Sequence, residues 1–208
     1  GSPKKGLELG SPMPPVPTNL MAGLIEAVAA DPYHGKADMP ELARSLQLEV
    51  DELFPVAEML QHLGFAEVHS GDIVLTAPGR IFAEHGTQER KMQFAEHLLQ
   101  SVPLAARIRQ VLNERPGHHA PRVRFEQELE DFLTDESAEE TLDAVINWGR
   151  YAEIFSYNDQ TEFFSLEEEV LTGGNVGDEQ LEHATAMVAL GGGKGVADRA
   201  RKMAKRFL

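Results

Sequence analysis

The sequence predicts a mainly α protein with small β-hairpins (α+β), built as two tandem winged-helix domains joined by helices. Three observations support this prediction. Three helices with apolar faces, followed by two short β-rich runs, occur between residues 19 and 80. The same order returns between residues 103 and 166. In each copy a tight turn, at Gly71 or at Asn158-Asp159, separates the two β-rich runs, as in the hairpin of a winged helix.

The first copy contains clear helix start and stop residues. Asp38 precedes Pro40 and a short apolar pattern, so we expect it to cap the second helix. Pro55 lacks an amide hydrogen and fits only the first turn of a helix, which places the start of the third helix near Val50. Gly64 is suited to cap the C-terminus of that helix. Two short strands, 64–68 and 72–76, then complete the copy.

In the second copy, the apolar spacing predicts three helices and two strands: helices 104–112, 124–133 and 138–148, and strands 151–155 and 162–166. The Pro- and Gly-containing run 115–121 is predicted as a loop. The chain therefore divides into a cloning-derived leader, two domains with a connecting helix between them, and a flexible, Gly-rich, basic tail. The boundaries are 1–12, 13–86, 87–102, 103–169 and 170–208.

Composition excludes several classes of protein. The 208 residues include no cysteine, so disulfides and thiolate chemistry are excluded. No apolar run reaches the roughly 20 residues of a transmembrane helix, and we expect a cytoplasmic protein. The net charge is −15; residues 1–12 carry +1 and residues 171–208 carry +2, which leaves −18 for residues 13–170. A segment this acidic repels phosphate backbones.

Charge also argues against DNA binding through the third helices. No Lys or Arg occurs between Gln47 and Gly64, or between Thr134 and Gly149. Non-specific DNA affinity requires such residues, so nucleic acid is not the expected partner. Five arginines cluster around the first loop of the second domain: Arg107, Arg109, Arg115, Arg122 and Arg124. They form either a face that balances acidic neighbours or a patch that binds an anion or a partner.

No residue pattern indicates catalysis, a cofactor or a metal. His118 and His119 are adjacent, which points their rings in different directions, and no third ligand is near in sequence. The Gly-rich run 191–195 lacks the spacing of a phosphate-binding loop. The densest aromatic run either packs the second wing or forms a partner surface: Trp148, Tyr151, Phe155 and Tyr157.

Several short blocks, in order, resemble the AAA-associated C-terminal domain family. They are Asn19–Glu26, Asp51–Glu58, Leu63–Ala66, Leu75–Arg80, Gln88–Lys91, Phe94–Leu99, Glu114–Gly117 and Asn147–Glu153. Members of this family follow the ATPase module of ABC importers of the nitrate, sulfonate, taurine or bicarbonate type. This sequence contains no such ATPase module.

The resemblance implies a non-catalytic regulatory or protein-interaction module at the cytoplasmic face of the inner membrane. Its expected partner is an ABC transporter ATPase module or a second copy of the chain, as a homodimer. Two alternatives remain from the residues: a winged-helix transcription regulator, and an anion or small-ligand sensor with a pocket between its domains lined by Arg and His.

Overall fold

The computed structural model describes residues 8–166, and these form a mainly helical protein with two small antiparallel sheets, as the α+β prediction requires. The first half comprises α1 (Thr18–Ala29), β1 (Lys36–Asp38), α2 (Met39–Leu46), α3 (Val50–Leu63), β2 (Ala66–His69) and β3 (Asp72–Leu75). Two joining helices follow, α4 (Ala77–Glu84) and α5 (Thr87–Ser101). The second half comprises α6 (Pro103–Glu114), β4 (His119–Pro121), α7 (Arg122–Glu130), α8 (Asp135–Tyr151), β5 (Ser156–Asn158) and β6 (Phe163–Ser165). The predicted tail, residues 170–208, lies outside the described residues.

The helix ends in the first half follow from local chemistry. The Asp38 side chain accepts a hydrogen bond from the Glu41 amide at 2.9 Å, which confirms it as the cap of α2. The helix α3 begins at Val50 as predicted, but Pro55 is its sixth residue and lies beyond the first turn, so the expectation that Pro55 fits only a first turn was wrong. Gly64 caps that helix in the left-handed conformation, with φ of 84°. Glycine adopts this conformation without the steric cost of a Cβ atom. The chain can therefore turn directly from α3 into β2.

Each half contains a three-stranded sheet rather than the predicted two-stranded hairpin. The strand orders are β1-β3-β2 and β4-β6-β5, with Ile73 and Phe164 at the buried centres of the middle strands. The prediction that residues 115–121 form only a loop was therefore wrong, because β4 pairs with β6 there. A three-residue strand is too short to show the alternation from which strands are recognised.

The predicted strand 151–155 was also wrong. Tyr151 is the last residue of α8, and the chain turns back before β5. Gly149 permits this turn, since a Cβ atom there would lie 2.1 Å from Cζ of Phe155. The Phe155 ring therefore packs directly over the helix backbone.

One buried apolar cluster runs through both halves. The Phe94 ring of α5 stacks with Phe65 of the first half at 6.4 Å and meets Tyr151 of the second half edge-on at 5.1 Å. The helix α5 thus contacts α3 on one side and α8 on the other. The two halves share a core through this helix.

The segment that precedes α1, residues 8–17, is named here the lead-in. The Met13 amide donates to Oγ1 of Thr141 at 3.1 Å, and Nε1 of Trp148 donates to the Val16 carbonyl at 2.6 Å. Both partners lie on α8, and Leu9 packs against the core. The lead-in therefore crosses the second half before the first half begins, and the packed chain starts before the predicted boundary at residue 13.

Among residues 8–166, no helix combines the length and apolar composition required to cross a bilayer.

Candidate functional site

A cleft of about 800 Å³ opens on the second half, between the C-terminal parts of α6 and α8 and strand β5. Its lining is mostly polar: Arg109, Asn113, His118, Arg150, Glu153, Ile154, Phe155, Ser156, Tyr157 and Leu166. The sequence suggested a pocket lined by Arg and His between the domains. The cleft with such a lining instead lies within the second half.

Arg109 projects from α6 into this cleft and is half-buried. Its NH1 donates to the carbonyl oxygen of Ile154. No carboxylate among residues 8–166 forms an ion pair with this guanidinium. A backbone carbonyl orients an arginine without cancelling its charge, so Arg109 presents a positive charge to the cleft.

Arg150 also lines the cleft, at the C-terminal end of α8. Its NH2 donates to the Tyr157 carbonyl at 2.6 Å and to Oδ2 of Asp159 at 2.9 Å, and its Cζ lies 5.3 Å from the centre of the Tyr157 ring. The Asp159 side chain is 75% exposed, so water screens this ion pair. Such exposed pairs contribute at most about 1 kcal/mol, and an anion from solution can compete with Asp159.

His118 is positioned by a turn after α6. The left-handed conformations of Gly117 and His118 reverse the chain, and Nδ1 of His118 lies 2.8 Å from the Leu112 carbonyl oxygen. A carbonyl only accepts hydrogen bonds, so the ring carries its hydrogen on Nδ1 in this geometry. The main chain of His118 is also fixed, because its carbonyl accepts from the Leu166 amide at 3.1 Å.

The five predicted arginines do not form one patch. Arg107 pairs with Glu128 at 3.0 Å, and this hydrogen bond and the Glu128 charge raise the pKa of Arg107. Side chains two residues apart on a helix point to different sides, which separates Arg107 from Arg109. Arg124 has a buried Nε without a hydrogen-bond partner among the described residues. Arg115 is half-buried and, like Arg107 and Arg124, lies outside the cleft lining.

Arg122 is a structural residue of the second half. Its side chain is 9% exposed and pairs with Glu126 at 2.5 Å and with Asp143 at 2.7 Å. Burial alone would lower the pKa of Arg122, but the hydrogen bonds with Asp143 and Glu126 outweigh burial and raise it. Arg107 and Arg122 thus match the charge-balancing alternative. The guanidinium groups of both residues are occupied by carboxylates rather than open to an anion from solution.

Two of the predicted surface aromatics are core residues. Trp148 is fully buried against the lead-in, and Phe155 is buried with its ring 5.2 Å from that of Phe164. Of the two alternatives, these two residues follow the packing one, because the fold buries both side chains in its own core. Tyr151 is half-buried beside Phe94, and Tyr157 is half-buried in the cleft wall.

Sequence reasoning missed Arg150 and Glu153 as cleft residues. Arg150 reaches the Tyr157 carbonyl only because the chain reverses between α8 and β5, and no spacing along the sequence reveals that contact. Within residues 8–166, no three His, Asp or Glu side chains form a group that could hold a metal ion.

Part of the chain is similar to proteins named ATP nucleosidase Cap17. Over 93 residues it is 39% identical to the Cap17 proteins of Escherichia coli strain KTE188 and of Escherichia coli, a match that covers 45% of this chain and 16% of each relative. The chain therefore spans about a sixth of the length of the curated relatives it matches. A family model described as "ATP nucleosidase Cap17-like, N-terminal" matches residues 150–208. No solved structure matches the chain.

These similarities contradict the expectation that the protein is not an enzyme. That expectation depended on the lack of catalytic motifs in 208 residues. Both curated relatives and the Cap17-like family model carry the name of an enzyme.

A second family model covers most of the described structure. The model described as "C-terminal AAA-associated domain" matches residues 40–158, from α2 through β5, which is more than half of the chain. It confirms the resemblance found in the short sequence blocks. The two family matches overlap at residues 150–158, the stretch that contains Arg150, Glu153 and Tyr157 of the cleft. The chain belongs to the C-terminal AAA-associated domain family.

Proposed function

We propose that this chain is part of an ATP nucleosidase, in which the AAA-associated fold is an accessory module joined directly to the Cap17-like segment. The observation that carries the proposal is the overlap of the two family matches at residues 150–158. These residues are not a linker: Ala152, Ile154 and Phe155 are buried in the core of the second half.

We further infer that each half is a winged helix. The order helix, strand, helix, helix, strand, strand occurs in both halves, and in both sheets the last strand lies between the other two. The three helices and the last two strands of each half follow the predicted order, and β1 or β4 adds a third strand after the first helix. The acidic α3 and α8 support protein contact over DNA contact as the use of these units, since phosphate would be repelled there.

The proposed reaction is hydrolysis of the N-glycosidic bond of ATP, which would release adenine and ribose 5′-triphosphate. The test uses the protein as its own gene encodes it, incubated with ATP, with adenine and ADP quantified separately by liquid chromatography. Adenine formed in equal amount to ATP consumed is the expected result. Heat-inactivated protein and adenosine as a substrate serve as controls.

Two outcomes would contradict the proposal. Release of ADP and phosphate would indicate hydrolysis of a phosphoanhydride bond instead. Consumption of no ATP, with and without divalent cations, would separate this protein from the activity for which its relatives are named.

The predicted partnerships stay predictions. Family membership is compatible with an ABC-importer ATPase module or a second copy of the chain as partner. Light scattering would measure the solution mass, and co-purification would test the importer. A monomeric protein that binds no importer subunit would contradict both predicted partnerships.

A further inference from the structure

We propose that the cleft of the second half binds the phosphate groups of a nucleotide, with Arg109 and Arg150 as its phosphate-binding residues. The phosphate chemistry is inferred from the cleft itself. The choice of ATP as the nucleotide rests on the proposed function.

The distribution of charge favours the cleft as an anion-binding site. Residues 13–170 carry −18, so most of the surface repels a polyphosphate. The cleft lining contains two arginines, Arg109 and Arg150, and one carboxylate, Glu153, which pairs with Lys91 of α5 at 3.1 Å. Asp159, outside the lining, pairs with Arg150. The cleft is thus a place where the local balance favours an anion.

The second step is the way the two arginines are held. NH1 of Arg109 donates to the Ile154 carbonyl and NH2 of Arg150 to the Tyr157 carbonyl. Both carbonyls belong to the stretch after α8, and neither neutralises a guanidinium. The Asp159 carboxylate also pairs with Arg150, but its side chain is 75% exposed, so an anion can compete with it. An arginine has five N–H donors, so one such contact leaves others to bind phosphate in the forked geometry that arginine favours. Fixing the side chain in advance also lowers the entropy lost on binding.

The third step is size and shape. A volume of about 800 Å³ lies within the roughly 300–1,000 Å³ of small-molecule sites. Arg150 already covers a face of the Tyr157 ring, so the cleft offers no free aromatic face there for the base. We therefore expect the phosphates to dominate affinity, with little discrimination between adenine and guanine.

The test is isothermal titration calorimetry of the full chain at low salt and without divalent cations, so that no cation shields the charge of the phosphates. The probes are ATP, GTP, inorganic tripolyphosphate and adenosine. ATP, GTP and tripolyphosphate should bind with dissociation constants within about tenfold of one another, and adenosine should not bind. Adenosine binding as tightly as ATP, or no binding of any phosphate compound, would overturn the inference.

Variants locate the site. Arg109→Gln should weaken ATP binding at least tenfold, about 1.4 kcal/mol. Arg44→Gln is the matched control. Arg44 is exposed on α2 of the first half, so this substitution removes the same charge at a position far along the chain from Arg109. Equal loss in both variants would show a general charge effect and refute the cleft. Circular dichroism checks the fold of each variant.

Arg109 also holds the Ile154 carbonyl, so its replacement could disturb the second half. Arg150→Lys supplies an independent measurement, since it keeps the charge but loses the forked donors. It should weaken ATP binding by roughly three- to tenfold; unchanged affinity would remove Arg150 from the site.

The inference and the proposed function fail separately. Binding of tripolyphosphate without adenine release refutes the nucleosidase and keeps the cleft. Adenine release that is unaffected by Arg109→Gln, together with unchanged ATP affinity, refutes the cleft and keeps the nucleosidase.

Discussion

The hydrogen bond between the lead-in and α8 is a sharp test of the fold. Oγ1 of Thr141 accepts from the Met13 amide at 3.1 Å, and both residues are buried. Thr141→Val keeps a similar shape but removes the acceptor, leaving a buried amide without a partner. That loss costs about 1–3 kcal/mol. With a urea m-value of about 2 kcal/mol/M, the unfolding midpoint should fall by roughly 0.5–1.5 M.

The assay uses the one tryptophan of the chain. Nε1 of Trp148 donates to the Val16 carbonyl, three residues from Met13, so the emission of this indole reports on the lead-in. Urea unfolding is followed by this emission and by far-UV circular dichroism. In Thr141→Val, a loosened lead-in should admit water to the indole and shift its emission to longer wavelength.

Thr141→Ser is the matched control, because it retains the hydroxyl and loses one methyl group, about 0.8 kcal/mol. Its emission should equal that of the wild type. A Thr141→Val midpoint equal to the wild-type value, or a serine variant less stable than the valine variant, would refute the reasoning. In either case the Met13–Thr141 bond would not anchor the lead-in.

Three further predictions concern the core and its charged groups. Gly149→Ala should lower Tm by roughly 4–8 °C, because the new Cβ would lie 2.1 Å from Cζ of Phe155. Overpacking of about 2 kcal/mol then outweighs the better helix propensity of alanine. A Tm at or above that of the wild type would contradict this prediction. Burial raises the pKa of Tyr151 above its ordinary value of 10.0, so the folded state holds this proton longer than the unfolded state. The resulting stabilisation is complete below pH 10.0 and is lost as pH rises through the folded pKa; urea melts of Tyr151→Phe should therefore show a shallower alkaline decline, whereas parallel curves would exclude this linkage. Arg122→Gln should destabilise by less than the roughly 3–5 kcal/mol typical of a broken buried pair, since the Asp143 side chain is 61% exposed and is rehydrated; chemical denaturation with no measurable change would remove Arg122 from the structural core.

Local features of the sequence determined much of the helical architecture. The caps at Asp38 and Gly64 depend on backbone groups within a few residues. The repeated order of elements likewise appears in the apolar spacing. These features remain readable because neighbouring residues alone decide whether a helix can start or end.

The short strands could not be predicted in the same way. β1 and β4 contain three residues each and form only because a partner strand satisfies their amide and carbonyl groups. The burial of Trp148 and Phe155 likewise depends on the lead-in and on Gly149. An aromatic run along the sequence does not reveal whether its rings face a core or a partner.

Among the predicted arginines, the sequence alone determined their number and their positions, two of them within the first helix of the second half and three after it. Only the tertiary structure decided that Arg122 pairs with Asp143 from another helix, while Arg109 turns to the Ile154 carbonyl and keeps its charge for the cleft. The physical reason is distance along the chain. These partners lie 21 and 45 residues away, and only folding brings them within hydrogen-bonding reach.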